Sequence, residues 1–449
     1  VIDTFALSPH ATWRCRHSGA CCTSNWPIDI DAPRRDRIAA AVRDGSIAMS
    51  ADAAPFETQA GETDPASARP TRIDGVTEAG GTIVVQPIIL ARTSVGACVF
   101  HDGDARRCRV QGALGHDALP LACRQFPRVV LIDARGVRVS LSHYCPSAVA
   151  RLFDDETPLA IVRSPASFPA GGEYDGLDAR DAFPPLLRPG VLMDWDTVDA
   201  LEQLGVALFA AETASPQAAL DRFAAVCEAL RGWRAADGPM VDRLRAIAAD
   251  ALASGGAIPA SNEEQAARLD WPEILKRDAE VRDSDPASHH DAHDAISMSV
   301  SAAAAADEGR IESAYLAHAA PVWGTFTRPV CRYLAARLFG SWSWYQGQGL
   351  RSLVRSLDAA LSVLRIEAAR QTSNSGTMLN RDGGLDRDGR LDRNRVLNRD
   401  QLREAIRQTD LRLLHLASRD ALAARWSAAE HDERSAGRTR PRGQKGSGS

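Results

Sequence analysis

Three features predict an α+β fold, with an irregular cysteine-rich metal-binding N-terminal module of short strands ahead of a mostly α-helical C-terminal domain. Seven of the nine cysteines fall between Cys15 and Cys145. Short runs of apolar residues alternating with polar ones recur over the first 163 residues, the signature of half-buried strands. From Asp194 onward the apolar period lengthens to that of a helix, as in Leu201, Leu204 and Leu208. A length of 449 residues at 45% hydrophobic content is enough for two or three domains with real cores.

The elements follow in chain order. Residues 1–12 read as an arm. Trp26, Ile28 and Ile30 alternate with polar neighbours and predict a short strand, and Arg34 to Val42 predicts a helix with Ile38 and Val42 four apart. Residues 50–72 have the Ala, Pro, Ser and acidic content of a loop. Strands are expected at Thr82–Val85 and Ile88–Leu90. Val129–Ile132 and Val137–Leu141 flank Asp133-Ala134-Arg135-Gly136 and read as a hairpin that carries the chain from Cys123 back to Cys145. The cysteine module therefore spans 1–163, and a proline- and glycine-rich linker spans 164–192. The helical domain covers 193–371 and 400–429. It is interrupted at 372–399 by a low-complexity insertion with leucines every six residues, and 430–449 is a basic, disordered tail. Cys227 and Cys331 sit at helix spacing and read as small buried apolar residues. His289, His290 and His293 lie among small polar residues and read as a loop. The aromatic segment from Trp323 to Tyr345 reads as interhelix packing, with a pocket at the helix break after Trp342–Tyr345 as the alternative.

Several function classes are disfavoured. A net charge of −5 gives no cationic field for nucleic acid. No apolar run reaches the ~18 residues of a membrane helix, and the first residues carry no secretory pattern. A soluble, cytoplasmic protein is expected. No strand–GxGxxG–helix fingerprint is present, nor is the C-x3-C-x2-C spacing of radical enzymes.

The cysteines carry the chemistry. An odd count, adjacent Cys21 and Cys22, and the lack of an export pattern argue against a disulfide framework. Metal ligation fits better, because thiolates brought together by short loops are the ligands of zinc and of iron–sulfur clusters. The candidate ligands are Cys15, Cys21 and Cys22 around Gly19, then Cys98 and Cys108 bracketing HDGDARR, then Cys123 in PLACRQFP, and Cys145 before Pro146. Arg14, Arg16, Arg106, Arg107, Arg109, Arg124 and Arg128 lie beside them in sequence, as a thiolate site would favour.

CRHSGACC, CVFHDGDARRC, PLACRQFP and the final Cys-Pro occur in the order that resembles the cysteine-cluster family described as zinc- or iron-chelating. Within it, the stretch from Cys21 to Asp31 and the segment SLSHYCPSAVARLF are most similar to the flagellin lysine-N-methylase branch. The motif-bearing likeness spans residues 13–153 and continues more weakly near 330–370 and in QLREAIRQTDLRLLHLA. The family pattern reads C-x2-C-G-x-C-C, whereas this chain has Ser18 at the second position, so the set is one sulfur short unless His17 or another group substitutes. The resemblance implies an iron–sulfur cluster, of the 4Fe-4S type, or zinc. It also implies S-adenosylmethionine as methyl donor and a lysine of a partner protein such as flagellin as acceptor. Asp29 and Asp31 are candidate proton acceptors by their nearness to Cys22, with a structural role as the alternative. The competing reading is a non-catalytic metal module, structural or metal-delivering.

Overall fold

The computed structural model describes residues 3–24, 26–49, 53–58, 88–154, 156–163, 176–211, 215–253, 269–284, 308–374 and 396–431. The expected strand at 82–85, the histidines 289–293 and most of the insertion and tail lie outside these residues. The chain forms two compact units, Cys15–Phe126 and a second made of Val1–Arg14 with Pro127–Ser449. The sequence reading instead places its boundary after residue 163.

In the unit Cys15–Phe126 the helix Ala32–Arg43 starts where Asp31 accepts a hydrogen bond from the Arg34 backbone N–H, 3.0 Å away. Ile38 and Ala41 form its buried face. The strand expected at Trp26–Ile30 is reduced to one bridge, Asp29 to Ile89, flanked by hydrogen bonds between residues 28–30 and 88–90. Pro27 has no N–H to extend that ladder. Phe56–Thr58 pairs antiparallel with Ile88–Leu90, and His101–Asp102 with Arg107–Cys108. The core is small: Ile28, Ile38, Ile47, Phe100, Val110 and Leu119 pack with Cys22 and Cys98.

The second unit combines a five-stranded mixed sheet with the helices. The sheet order is Ile161–Arg163, Thr4–Leu7, Gly136–Leu141, Arg128–Asp133, Leu177–Asp178. The hairpin is the predicted one, and Gly136 closes it at φ 114°, where a Cβ would stand 2.5 Å from the Asp3 carbonyl oxygen. Two expectations are corrected. The supposed arm is a strand inside the sheet, parallel to 137–139 and antiparallel to 161–163, with Ala6 and Leu7 buried. The described part of the supposed linker carries three short strands, and Leu187 is fully buried. Prolines and glycines there mark turns rather than a loose connection.

The helices form as their periodicity predicts. Asp194 caps Trp195–Ala210 and Ser215 caps Pro216–Arg231 through their side chains. The helix Leu350–Asn374 is buried on all sides over residues 359–364, as a central helix must be. Cys227 and Cys331 are buried in the apolar core. The insertion is narrower than expected, because Thr372 is buried in the helix before it and Leu397 is buried after it. Asn398 begins the next helix, Arg399–Asp410, with a capping box. Its side chain accepts from the N–H groups of Asp400 and Gln401, while its own N–H donates to Gln401. Asn398→Ala is expected to cost about 1 kcal/mol, read as a shift of the urea midpoint. The single helix expected over 401–429 is broken at Ala417 and Ser418, and Glu430, assigned to the tail, is buried and paired with Arg231.

Candidate functional site

Five of the predicted thiols belong to one electrostatic cluster in the unit Cys15–Phe126. Gly19, in the left-handed conformation at φ 75°, turns the chain into the short 3₁₀ segment Ala20–Cys22. That turn sets the Sγ atoms of Cys21 and Cys22 3.9 Å apart. Cys98 is tied to it by its N–H, which donates to the Cys22 carbonyl at 2.7 Å. Cys108 sits at the start of the helix Arg109–Leu114, where its thiol and that of Cys22 shift each other's protonation. Cys123, in the helix Leu121–Gln125, feels the charges of Cys21, Cys108 and Cys98.

The protons divide unequally among these groups. Cys108 is pulled down to about 7, first by the Cys22 hydrogen bond and then, against burial, by the helix N–H groups of Gln111 and Val110. Cys21 is lowered by its hydrogen bond from Cys22, while Cys22, the shared donor, is raised by those same bonds to Cys108 and Cys21. Burial pushes Cys98 up to about 11 and Cys123 well above the ordinary thiol range. The arginine that opposes burial at both is Arg92, which was not among the arginines singled out by sequence. Of those, Arg14, Arg16, Arg106 and Arg107 are exposed.

The remaining candidates are Cys15, His17 and Cys145. Cys15 is exposed and its sulfur accepts only a 3.4 Å bond from the His17 N–H of its own loop; His17 is itself exposed at φ 52°. Cys145 belongs to the other unit, where it is buried ahead of the helix Pro146–Leu152. Asp31 is engaged as a helix cap and with the Arg34 guanidinium at 2.7 Å, so the structural alternative for it is the observed one. Among the described residues, no three His, Cys, Asp or Glu side chains converge closely enough to enclose an ion as they stand. One residue the sequence reading passed over lies close by. His101, paired with Cys108 across the short strands, has its Nε2 buried against Gly19 with no hydrogen-bond partner among the described residues. Its position in the HDGD loop between two candidate ligands was the available signal.

The second unit holds a buried histidine network that sequence reading also missed. Asp410 accepts hydrogen bonds from the His143 N–H at 2.6 Å and from Tyr333 at 2.8 Å, and faces His143 Nδ1 at 3.1 Å. The Nε2 atoms of His143 and His10 are 3.1 Å apart. With His143 Nδ1–H directed at Asp410, His10 donates through Nε2 and its buried Nδ1 is left as a bare acceptor. His10, His143, Tyr333 and Asp410 are at most 1% exposed, so the network positions helices and strands and offers no entry to substrate.

This burial predicts a pH dependence. His415, whose Nε2 lies 2.7 Å from Ser142 Oγ, is lowered to about 4 by burial, and burial together with His143 also depresses His10. Both stay neutral in the fold while the unfolded chain takes up protons below about 6.5. Their stabilisation is therefore complete above that pH and is lost as the pH falls toward 4. Urea midpoints are expected to decline from pH 7 to pH 5, and His415→Gln to flatten that decline.

Among the described residues, no helix is long and apolar enough to cross a membrane. No protein-family model matches the chain, and no solved structure matches it. A stretch of 69 residues is 39% identical to the flagellar biosynthetic protein FliU of Salmonella muenchen. Over the same length it is 39% identical to the lysine-N-methylases of Salmonella typhimurium and Salmonella choleraesuis. That stretch is 15% of this chain, and it spans 40% of FliU and 17% of each lysine-N-methylase. The chain is thus similar, over part of its length, to lysine-N-methylases.

Proposed function

We propose that the thiols of the unit Cys15–Phe126 hold an iron–sulfur cluster or zinc, and that the chain transfers a methyl group from S-adenosylmethionine to a lysine of a partner protein such as flagellin. The observation that carries the metal is the linked set Cys21, Cys22 and Cys108, with Cys98 and Cys123 within electrostatic reach. The donor chemistry fits. Two thiolates on one tetrahedral ion at ~2.3 Å stand roughly 3.8 Å apart, close to the 3.9 Å of Cys21 and Cys22. Cys21, Cys22 and Cys108 would be ligands, completed by Cys98 or Cys123, with His101 Nε2 as the nearby nitrogen donor. These sulfurs would bind such a cation as thiolates, its charge offsetting their mutual repulsion. Because no three donors converge among the described residues, closing the set requires the thiol side chains to change rotamer.

Methyl transfer draws its support from the names of the partial relatives. The lysine amine, deprotonated, attacks the sulfonium methyl; the carbon–sulfur bond breaks, S-adenosylhomocysteine leaves, and the proton released by the new ammonium passes to a base. Alignment and exclusion of water supply the rate. Titration calorimetry of the purified chain with S-adenosylmethionine tests this directly. Saturable one-to-one binding is expected, followed by methyl incorporation at lysine of a protein substrate. No heat at millimolar ligand would remove the methylase reading.

A second reading, a non-catalytic metal staple, is favoured by one observation. The apolar cluster of this unit holds only twelve buried residues among those described, too few to make metal superfluous to its stability.

A further inference from the structure

We propose that a cleft in the unit of Val1–Arg14 and Pro127–Ser449 is an oxyanion site, built for the carboxylate or phosphate group of a small ligand. The cleft, about 60 Å³, opens between the hairpin, residues 336–346 and the segment 413–426. Arg337, Arg419, Trp342, Trp426 and Gln346 line it, and no Asp or Glu does. Two guanidinium groups therefore face it without a carboxylate in the wall, in a chain whose net charge is negative.

Two of the donors stand without a hydrogen-bond partner among the described residues. Arg337 Nε and Trp426 Nε1 are buried without a hydrogen-bond partner among the described residues, and Trp426 is 7% exposed. Arg337 Nη1 forms a long ion pair, at 3.8 Å, with Asp410, whose oxygens also serve His143 and Tyr333. Arg419 lies flat over Trp342, its Cζ 3.7 Å from the ring centroid, and Trp342 is itself fixed by its Nε1–H donating to the Val130 carbonyl at 2.9 Å. Arg419 Nη2 also donates to the Leu414 carbonyl at 3.4 Å, and a guanidinium fixed by stacking loses little freedom on binding. Buried donors without acceptors are costly, and an oxyanion with several lone pairs relieves that cost through charge-assisted bonds. The cleft takes a group the size of acetate or phosphate, with the aromatic walls left for the rest of the ligand. This inference stands on the cleft itself and does not depend on metal binding or methyl transfer.

The test titrates the full chain with sodium acetate and with sodium phosphate at constant ionic strength, chloride making up the difference. Tryptophan fluorescence and the thermal midpoint are the readouts. Saturable binding of at least one anion is expected; acetate alone assigns a carboxylate, phosphate alone a phosphate. Arg337→Gln and Arg419→Gln are expected to weaken it about tenfold or more. Trp426→Phe, which keeps an aromatic ring and removes one donor, is expected to weaken it severalfold, and it decides the matter if an arginine variant fails to fold. Failure of both anions to saturate, or unchanged affinity in the variants that fold, overturns the proposal.

Discussion

Glu202→Ala is expected to lower the unfolding free energy of its unit by about 3–5 kcal/mol, the usual penalty for stranding buried charge. Glu202 is fully buried on the helix Trp195–Ala210. It accepts hydrogen bonds from Arg138 Nε at 2.7 Å, Arg135 at 3.2 Å and the Gly340 backbone N–H at 3.0 Å. Both arginines come from the hairpin and are under a tenth exposed, so neither gains solvent when the carboxylate is removed. Asp133 remains for Arg135, at 2.7 Å, but it is also the acceptor for Tyr345 and lies 3.7 Å from Arg138. Glu202→Gln, which keeps the shape and an acceptor, is expected to cost less than half as much. Urea denaturation followed by circular dichroism measures both. A loss under about 1 kcal/mol for the alanine variant would show that water satisfies the arginines.

The other large effect is on metal. Cys21→Ser, Cys22→Ser, Cys108→Ser and Cys123→Ser are each expected to lose most of the bound metal, whereas Cys227→Ser keeps it. The first three share hydrogen bonds or close sulfur contact, and Cys123 feels the charge of the rest; Cys227 is enclosed by apolar residues of the other unit. Structural thiolate sites contribute about 10–16 kcal/mol on metal binding, so loss of one ligand also exposes the small core around Phe100 and Ile38. Metal content by elemental analysis of the five variants, purified alike, gives the answer. Equal retention in all of them would contradict the ligand assignment.

What was legible in the sequence was local. Asp133-Ala134-Arg135-Gly136 marks a hairpin because a glycine at positive φ is needed where the two strands turn. Helices from Trp195 onward announce themselves through apolar spacing and through Asp194, Ser215 and Asn398 as caps. The nearness of Cys21 to Cys22 is likewise local, whereas Cys98 reaches Cys22 across 75 intervening positions through its backbone N–H. What stayed hidden was non-local. Thr4–Leu7 is four residues without a pattern of their own, made a strand by partners more than 130 positions away. His10, His143 and Asp410 are equally far apart, and no spacing rule joins them. Cys145 follows the motif order in sequence, yet folds with the sheet and helices, because the hairpin before it pairs with Thr4–Leu7. His101 was masked by its turn-rich neighbours, which read as loop rather than as a donor held against Gly19.

Iron, zinc and acid-labile sulfide analysis of the wild-type chain, purified without oxygen, tests the thiol centre most directly. About one zinc per chain, or iron with matching sulfide and absorbance near ~400 nm, is the predicted result. Chain free of metal, with the thiols of Cys21, Cys22 and Cys108 all open to alkylation in the folded state, would contradict it.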